Sequence, residues 1–140
     1  MSNFAPGVLA NLLIAANGAT TKDGSSRKLS FPGDRSRFHA LRARASSIAI
    51  GGATYRAEPY ESTKLPLFVS TRDESLLAKE SPIHFYAKSP KSLIELAQGL
   101  IGGTVLIEGG VNFLHDLLQE ALVEELHLTK STTVGDNHFF

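Results

Sequence analysis

Thr104-Val105-Leu106-Ile107-Glu108-Gly109-Gly110 is the stretch that decides the fold. Its first four residues form an apolar run typical of a buried strand. A helical pattern follows, carried by Leu114, Leu117, Leu118, Ala121 and Leu122. Two glycines at such a junction let a ligand approach the backbone, and the first N–H groups of a helix carry partial positive charge. The stretch therefore predicts a seat for an anion such as phosphate, although many α/β proteins use the same bend for turn geometry alone.

Composition restricts the class of protein. The chain has 140 residues, 42% of them hydrophobic, with 14 Lys and Arg against 14 Asp and Glu. This length favours one domain, residues 1–140, that buries roughly two thirds of its unfolded surface. Zero net charge weighs against a general nucleic-acid or membrane binder. The absence of cysteine excludes disulfides and thiolate chemistry and fits a reducing compartment.

No membrane span or targeting segment is expected. The apolar run from Gly7 to Ala16 is too short to cross a bilayer, and no Lys or Arg precedes it. We therefore expect a cytoplasmic protein.

Apolar runs bounded by glycine or proline predict the sheet. The strand candidates are Val8–Ile14, for which a short buried helix is the alternative, and 47–50, 67–69, 83–86, 104–107 and 125–129. Helices are predicted after an Asp34 cap, from Ser92 to Ile101 and from about Asn112, and the interval from Ala19 to Gly33 is predicted to be a long exposed loop. Strands that alternate with helices indicate an α/β domain with a largely parallel sheet.

A second diglycine pair occurs in Gly51-Gly52-Ala53-Thr54, again after a strand. Ligands collect at the carboxyl ends of strands in open α/β sheets, so both pairs are candidates for ligand contact. Neither pair matches Gly-x-Gly-x-x-Gly, and no Gly-x-x-x-x-Gly-Lys occurs. A standard Rossmann dinucleotide fold and a P-loop nucleotidase are therefore disfavoured.

Arg42 is predicted at the margin of the apolar face of its helix, beside Phe38. A guanidinium buried there needs an anionic partner. That partner is either a carboxylate, such as Glu58 or Glu108, or a ligand phosphate, and the sequence leaves both open.

The sequence lacks the residue patterns that metal-dependent and hydrolytic catalysis require. The five histidines do not have the spacing of a zinc site, so no metal is predicted. No Ser-His-Asp arrangement or nucleophile elbow is found. Hydride transfer fits this pattern better than hydrolysis, because the cofactor supplies the chemistry and the protein supplies position.

Four blocks of sequence together resemble the riboflavin-biosynthesis pyrimidine reductases, which are the dihydrofolate-reductase-like reductase domains of the bifunctional deaminase-reductase family. The blocks are Asn17-Gly18-Ala19-Thr20 with Asp23-Gly24-Ser25-Ser26, then residues 38–43, 51–58 and 105–110. They occur in the family's order and span about Val8 to Thr129, in a chain that is short for the family.

The resemblance implies a dihydrofolate-reductase-like three-layer fold with a mostly parallel central sheet, and a homodimer. It also implies that NADPH delivers hydride to the ribosyl carbon of a phosphoribosylamino-pyrimidine, giving the ribitylamino product. By position, it implies substrate contacts at Ser26, Arg42 and Glu108, where an ordinary loop serine is the alternative for Ser26. It implies cofactor contacts at Thr54, Glu58, Thr71, Gly109, Gly110, Val111 and Asn112. No catalytic residue is assigned.

The chain departs from the family at Asn17-Gly18, where Asp-Gly is usual. Asparagine keeps the turn geometry but not the charge. Two alternatives therefore stay open: a catalytically silent nucleotide-binding relative, and a reductase of the same fold acting on another heterocycle such as a pterin.

Overall fold

The computed structural model describes residues 7–58, 60 and 63–140. The strands are β1 (Val8–Ile14), β2 (Ser47–Gly51), β3 (Leu67–Ser70), β4 (His84–Tyr86), β5 (Val105–Ile107) and β6 (Glu125–Lys130). The helices are α1 (Pro32–Ala43), α2 (Gly52–Ala57), α3 (Glu74–Leu77), α4 (Pro90–Leu100) and α5 (Val111–Gln119), and a 3-10 helix covers Arg27–Leu29.

The six strands form one sheet in which every pairing is parallel, in the order β4-β3-β2-β5-β1-β6. The chain runs outward through β2, β3 and β4, and then returns to place β5 between β2 and β1. The carboxyl ends of β2 and β5 are therefore neighbours, and a diglycine pair lies at each of these ends. In open α/β sheets such a reversal of strand order creates a crevice for ligands.

Helices pack on both faces of the sheet. Ala10 and Leu12 point to one face, where they join a core cluster with Leu117 of α5. Leu9 points to the other face and packs with Leu41 of α1. This alternation along β1 follows from the two-residue period of a strand. The result is the predicted dihydrofolate-reductase-like α/β fold, with its parallel sheet between helical layers.

The prediction that Asp34 caps α1 is wrong. The helix begins at Pro32 after an extended Phe31, because the fixed φ and missing N–H of proline suit the first helical position. Asp34 lies inside the first turn, buried, and accepts a hydrogen bond from Ser30 Oγ at 2.9 Å.

The interval predicted as a long exposed loop is partly folded. Leu29, in its 3-10 helix, is buried in a small apolar cluster with Ala15 and Ala19. Lys22 and Ser25 form an isolated antiparallel bridge. The interval is therefore fixed against the body of the protein at several points.

None of the helices within the described ranges combines the length and the apolar character that a membrane crossing requires.

Candidate functional site

A cleft with a volume of about 1240 Å³ lies at the carboxyl ends of β2, β3 and β5. All the residues predicted to bind substrate or cofactor line it: Ser26, Arg42, Thr54, Glu58, Thr71, Glu108, Gly109, Gly110, Val111 and Asn112. The fold thus brings the predicted residues into one cavity, while their individual roles stay predictions.

The two diglycine bends meet in this cleft. The Gly51 N–H donates a hydrogen bond to the Gly109 carbonyl oxygen at 3.0 Å. A Cβ on Gly110 would lie 2.9 Å from Thr54 Oγ1, and one on Gly109 would lie 3.1 Å from it. Gly109 also has a φ of +134°, which side chains rarely adopt. Glycine is therefore required here so that the second bend can approach α2.

The N-terminus of α5 opens into the same cleft. Gly110 is the N-cap residue, and no side chain caps the helix. The first N–H groups of a helix have no intrahelical acceptor and carry partial positive charge. Since Val111 and Asn112 line the cleft, these groups are placed to stabilise a ligand anion.

A buried ion pair forms a second part of the cleft wall. Arg42 Nε and Nη2 each donate to the Glu108 carboxylate at 2.8 Å, and the Tyr60 hydroxyl donates to the same carboxylate at 2.8 Å. The Glu108 side chain is 2% exposed, whereas that of Arg42 is 25% exposed. Of the carboxylates considered for Arg42, Glu108 is thus the partner. The pair occupies two of the five guanidinium N–H donors, which leaves three for a ligand such as a phosphate.

The ionisation of this cluster follows from its burial and charges. Burial lowers the pKa of Arg42, but its hydrogen bonds to Glu108 and the charge of that carboxylate outweigh burial, so the pKa is raised overall. Burial raises the pKa of Tyr60 well above 10.0, and the charge of Glu108 and the hydrogen bond to it raise it further. Arg42 is therefore a cation and Tyr60 a neutral donor at neutral pH.

Glu58 binds the loop that contains Ser26. Its carboxylate accepts hydrogen bonds from Ser25 Oγ at 2.6 Å, Ser26 Oγ at 2.9 Å and the Ser26 N–H at 3.2 Å. Ser26 and Glu58 were predicted to contact different ligands, but in this structure they contact each other. A ligand phosphate could accept hydrogen bonds from the same three donors only if the Glu58 carboxylate moved away.

Arg72 and Lys88 line the cleft and were missed by the sequence reasoning. Neither forms an ion pair with a residue that the structure describes. Lys88 is held by its backbone, because Ser70 Oγ donates to its carbonyl oxygen at 2.9 Å. Both positions follow shortly after predicted strands, so the rule that ligands collect at carboxyl ends could have identified them.

Asn17 has a structural role. Its Nδ2 donates to the Gly135 carbonyl oxygen at 2.9 Å, and its Oδ1 accepts from the Gly135 N–H at 3.1 Å. The side chain lies outside the lining of the cleft. A carboxylate could accept from the Gly135 N–H but could not donate to the carbonyl oxygen, so only an amide makes both contacts.

Within the described ranges, no three His, Asp or Glu side chains lie close enough together to hold a metal ion.

Comparison with models of protein families gives a match over nearly the whole chain. The family model of the RibD C-terminal domain covers residues 6–138 of the 140-residue chain. A search of curated proteins found no match.

Proposed function

Because the chain belongs to the RibD C-terminal domain family, a reductase family of riboflavin biosynthesis, we propose that it uses NADPH to reduce the ribosyl group of a 5-phosphoribosylamino-pyrimidine to a ribityl group. The observation that carries this proposal is one cleft that contains both an uncapped helix N-terminus and the Arg42–Glu108 pair. Ligand pockets for small molecules are about 300–1,000 Å³. A cleft of about 1240 Å³ is large enough for a dinucleotide together with a small substrate.

The cofactor pyrophosphate is proposed to lie against the start of α5. Gly109 and Gly110 line the cleft and carry no side chain between their backbone and a ligand. Val111 and Asn112 would present N–H groups to the pyrophosphate oxygens. Thr54 Oγ1, next to both glycines, would add a hydroxyl to the same seat.

Arg72 and Lys88 favour NADPH over NADH as the cofactor in this proposal. The two cofactors differ by one 2′-phosphate, and unpaired cations are the groups that select for it. We expect the double variant Arg72→Gln, Lys88→Gln to raise the KM for NADPH by roughly tenfold while leaving that for NADH unchanged. Lys79→Gln, which changes an exposed lysine outside the cleft, is the matched control. Equal effects on both cofactors would contradict this assignment.

The chemistry proposed for the substrate is the reduction of a carbon–nitrogen double bond. Opening of the ribosylamine gives an imine, whose ribosyl C1′ accepts a hydride while the nitrogen accepts a proton, leaving a carbon–nitrogen single bond. When bound, the cofactor supplies that hydride and is itself oxidised. The Glu108 carboxylate, buried and fixed by Arg42 and Tyr60, would stabilise positive charge on the protonated imine. The guanidinium of Arg42 would hold the substrate phosphate through its remaining N–H groups.

The test mixes the protein, NADPH and the phosphoribosylamino-uracil and follows the nicotinamide absorbance, with the ribityl product identified by mass spectrometry. Gly110→Ala should lose cofactor binding, because its Cβ would approach Thr54 Oγ1. Gly99→Ala is the matched control, since a Cβ on Gly99 meets no atom within 4 Å. If folded, cofactor-bound protein oxidises no NADPH above background, the proposed reaction is rejected.

One observation favours a second candidate, a catalytically silent nucleotide-binding relative. The Ser26 hydroxyl already contacts Glu58, and Arg42 already contacts Glu108. In such a protein the residues expected to bind the substrate phosphate already contact carboxylates of the protein itself. It could bind a nucleotide without turning over a substrate. Saturable NADPH binding without oxidation of any pyrimidine would favour this candidate, and measured turnover would exclude it.

We further propose that the chain is a homodimer, as the family resemblance implies. β6 is an edge strand, with Leu126 37% and Leu128 44% exposed. Apolar side chains on an exposed edge favour association. Sedimentation should therefore show a dimer that Leu128→Lys converts to a monomer, and a monomeric wild-type protein would contradict the proposal.

A further inference from the structure

The segment after β6 folds back against the loop that follows β1. Thr20 Oγ1 donates a hydrogen bond to the His138 carbonyl oxygen at 2.6 Å. The Phe140 N–H donates to the Gly18 carbonyl oxygen at 3.0 Å. These two hydrogen bonds fix the backbone on both sides of Phe139.

Close packing also holds this segment in place. A Cβ on Gly135 would lie 2.6 Å from the Thr21 carbonyl oxygen and 2.7 Å from the Ala19 Cβ, so the two stretches of chain are in tight contact. The Phe140 ring packs edge-on against the His115 ring of α5, with the ring centroids 5.6 Å apart. The segment therefore connects the loop after β1 to α5, the helix that begins at the proposed pyrophosphate seat.

Phe139 lines the cleft between these fixed points and is 56% exposed. The residue before it, His138, has a φ of +53°, in the left-handed region that residues other than glycine rarely adopt. Such conformations are concentrated at ligand sites, where the surrounding contacts hold them. An aromatic side chain held in this way offers a flat apolar surface to a ligand in the cleft.

The strand order indicates which half of the proposed cofactor would face this segment. Arg72 and Lys88, proposed to bind the 2′-phosphate, follow β3 and β4, which lie two and three strands from β5 on one side. At a spacing of about 4.8 Å, these strands are roughly 10–14 Å from β5. β1 lies next to β5 on the other side. Because the pyrophosphate joins the two halves of a dinucleotide, the nicotinamide half would extend towards β1, where Phe139 lies.

We propose that Phe139 positions the nicotinamide end of NADPH by stacking against the nicotinamide ring. The start of α5 would fix only the pyrophosphate, so the reactive ring needs a contact of its own. Flat rings stack on aromatic side chains without any polar partner. This inference rests on the proposed binding of NADPH and adds a residue that orients its reactive ring.

The first experiment uses calorimetric titration of the full chain with two ligands. One is NADPH, and the other is 2′-phospho-ADP-ribose, which is the cofactor without its nicotinamide ring. Phe139→Ala should raise the Kd for NADPH by about 10-fold and leave the Kd for the fragment unchanged, because only NADPH carries the stacked ring. Equal changes for both ligands, or an unchanged Kd for NADPH, would overturn the inference.

Two further variants separate the aromatic ring from its bulk. Phe139→Tyr keeps the ring and should bind NADPH as the wild type does. Phe139→Leu keeps an apolar side chain without a ring and should bind NADPH more weakly than Phe139→Tyr. Because Phe139 is exposed, all three variants should keep the stability of the wild type. Leucine and tyrosine variants of equal affinity would refute stacking.

The matched control is Val134→Ala, in the same segment. Val134 is 59% exposed but does not line the cleft. This variant should keep the wild-type Kd for both ligands. A rise of the Kd for NADPH equal to that of Phe139→Ala would overturn the inference, because the effect would then come from a shift of the whole segment.

The proposed substrate also carries a flat ring, so its KM is measured in the same variants. If Phe139→Ala raises the KM for the phosphoribosylamino-uracil while the Kd for NADPH stays constant, Phe139 contacts the pyrimidine and the inference is overturned.

The two proposals fail in different ways. A wild-type protein that binds no NADPH rejects the proposed function, and this inference with it. A wild-type protein that binds NADPH but turns over no pyrimidine rejects the proposed reaction, whereas the two Kd values still decide this inference. An unchanged Kd for NADPH in Phe139→Ala rejects this inference alone.

Discussion

Replacement of Glu108 by alanine should sharply destabilise the protein even without any ligand. The carboxylate is 2% exposed and accepts three hydrogen bonds of 2.8 Å, from Arg42 and Tyr60. Its removal leaves a half-buried guanidinium and a buried hydroxyl without their acceptor. Breaking a buried ion pair from one side costs about 3–5 kcal/mol, and the 25% exposure of Arg42 favours the lower end of that range. The orphaned Tyr60 hydroxyl adds about 1 kcal/mol or more.

Urea unfolding measures this loss directly. With a slope of about 1–3 kcal/mol per molar urea, a loss of about 4 kcal/mol moves the midpoint down by roughly 1.3–4 M. The double variant Arg42→Met, Glu108→Leu removes both charges together, so it should be more stable than Glu108→Ala. A cost below about 1 kcal/mol for Glu108→Ala, or a double variant that is less stable still, would refute the reasoning.

Three further predictions follow from hydrogen bonds of the cleft and its surroundings. Burial and the neighbouring carboxylate raise the pKa of Tyr60 in the folded state, so the unfolded chain releases that proton first and stability falls as pH rises through about 10. In Tyr60→Phe this fall should be shallower by up to about 1.4 kcal/mol per pH unit in urea titrations, and equal slopes would contradict the pKa shift. Asn17→Asp should lower the free energy of unfolding by about 1 kcal/mol, because it loses the bond to the Gly135 carbonyl oxygen, and calorimetry showing an unchanged Tm would disprove this role. Glu58→Ala should release the loop around residue 26, because it removes the acceptor of the serine hydrogen bonds. Trypsin should then cleave after the exposed Arg27 faster than in the wild type, as measured by mass spectrometry. Equal cleavage rates would show that Glu58 does not hold the loop.

The sheet could be predicted from the sequence because its signals are local. Apolar runs such as Val8–Ile14 are bounded by glycine or proline, and each predicted strand is present within a residue or two of its expected ends. The alternative of a short buried helix for that first run is wrong. Parallel pairing followed from the alternation of strands with helices, which leaves little room for hairpins.

The short elements could not be predicted in the same way. α2 and α3 have six and four residues, too few for a helical period to be recognised. Asp34 was misassigned because its residue type suits an N-cap, whereas Pro32 has the stronger preference for the start of the helix. When two neighbouring residues both favour the start of a helix, the packing of that helix decides between them. Packing cannot be read directly from the sequence.

The candidate site was predictable where it depends on the backbone. Gly109 and Gly110 were identified because two glycines between a strand and a helix start let a ligand approach the backbone N–H groups. The contacts Glu58–Ser26 and Arg42–Glu108 join residues 32 and 66 positions apart. The sequence does not show which polar side chains so far apart come into contact.

The strand order sets a constraint on synthesis. β1 pairs only with β5 and β6 among the described strands, so its apolar segment finds no partner until Val105 and the residues after it have left the ribosome. Throughout most of translation the Val8–Ile14 segment therefore lacks the strands it pairs with, and an unpaired apolar segment of this kind favours aggregation. A ribosome stall before β5 would yield a chain that has β2, β3 and β4 but cannot complete the middle of its sheet.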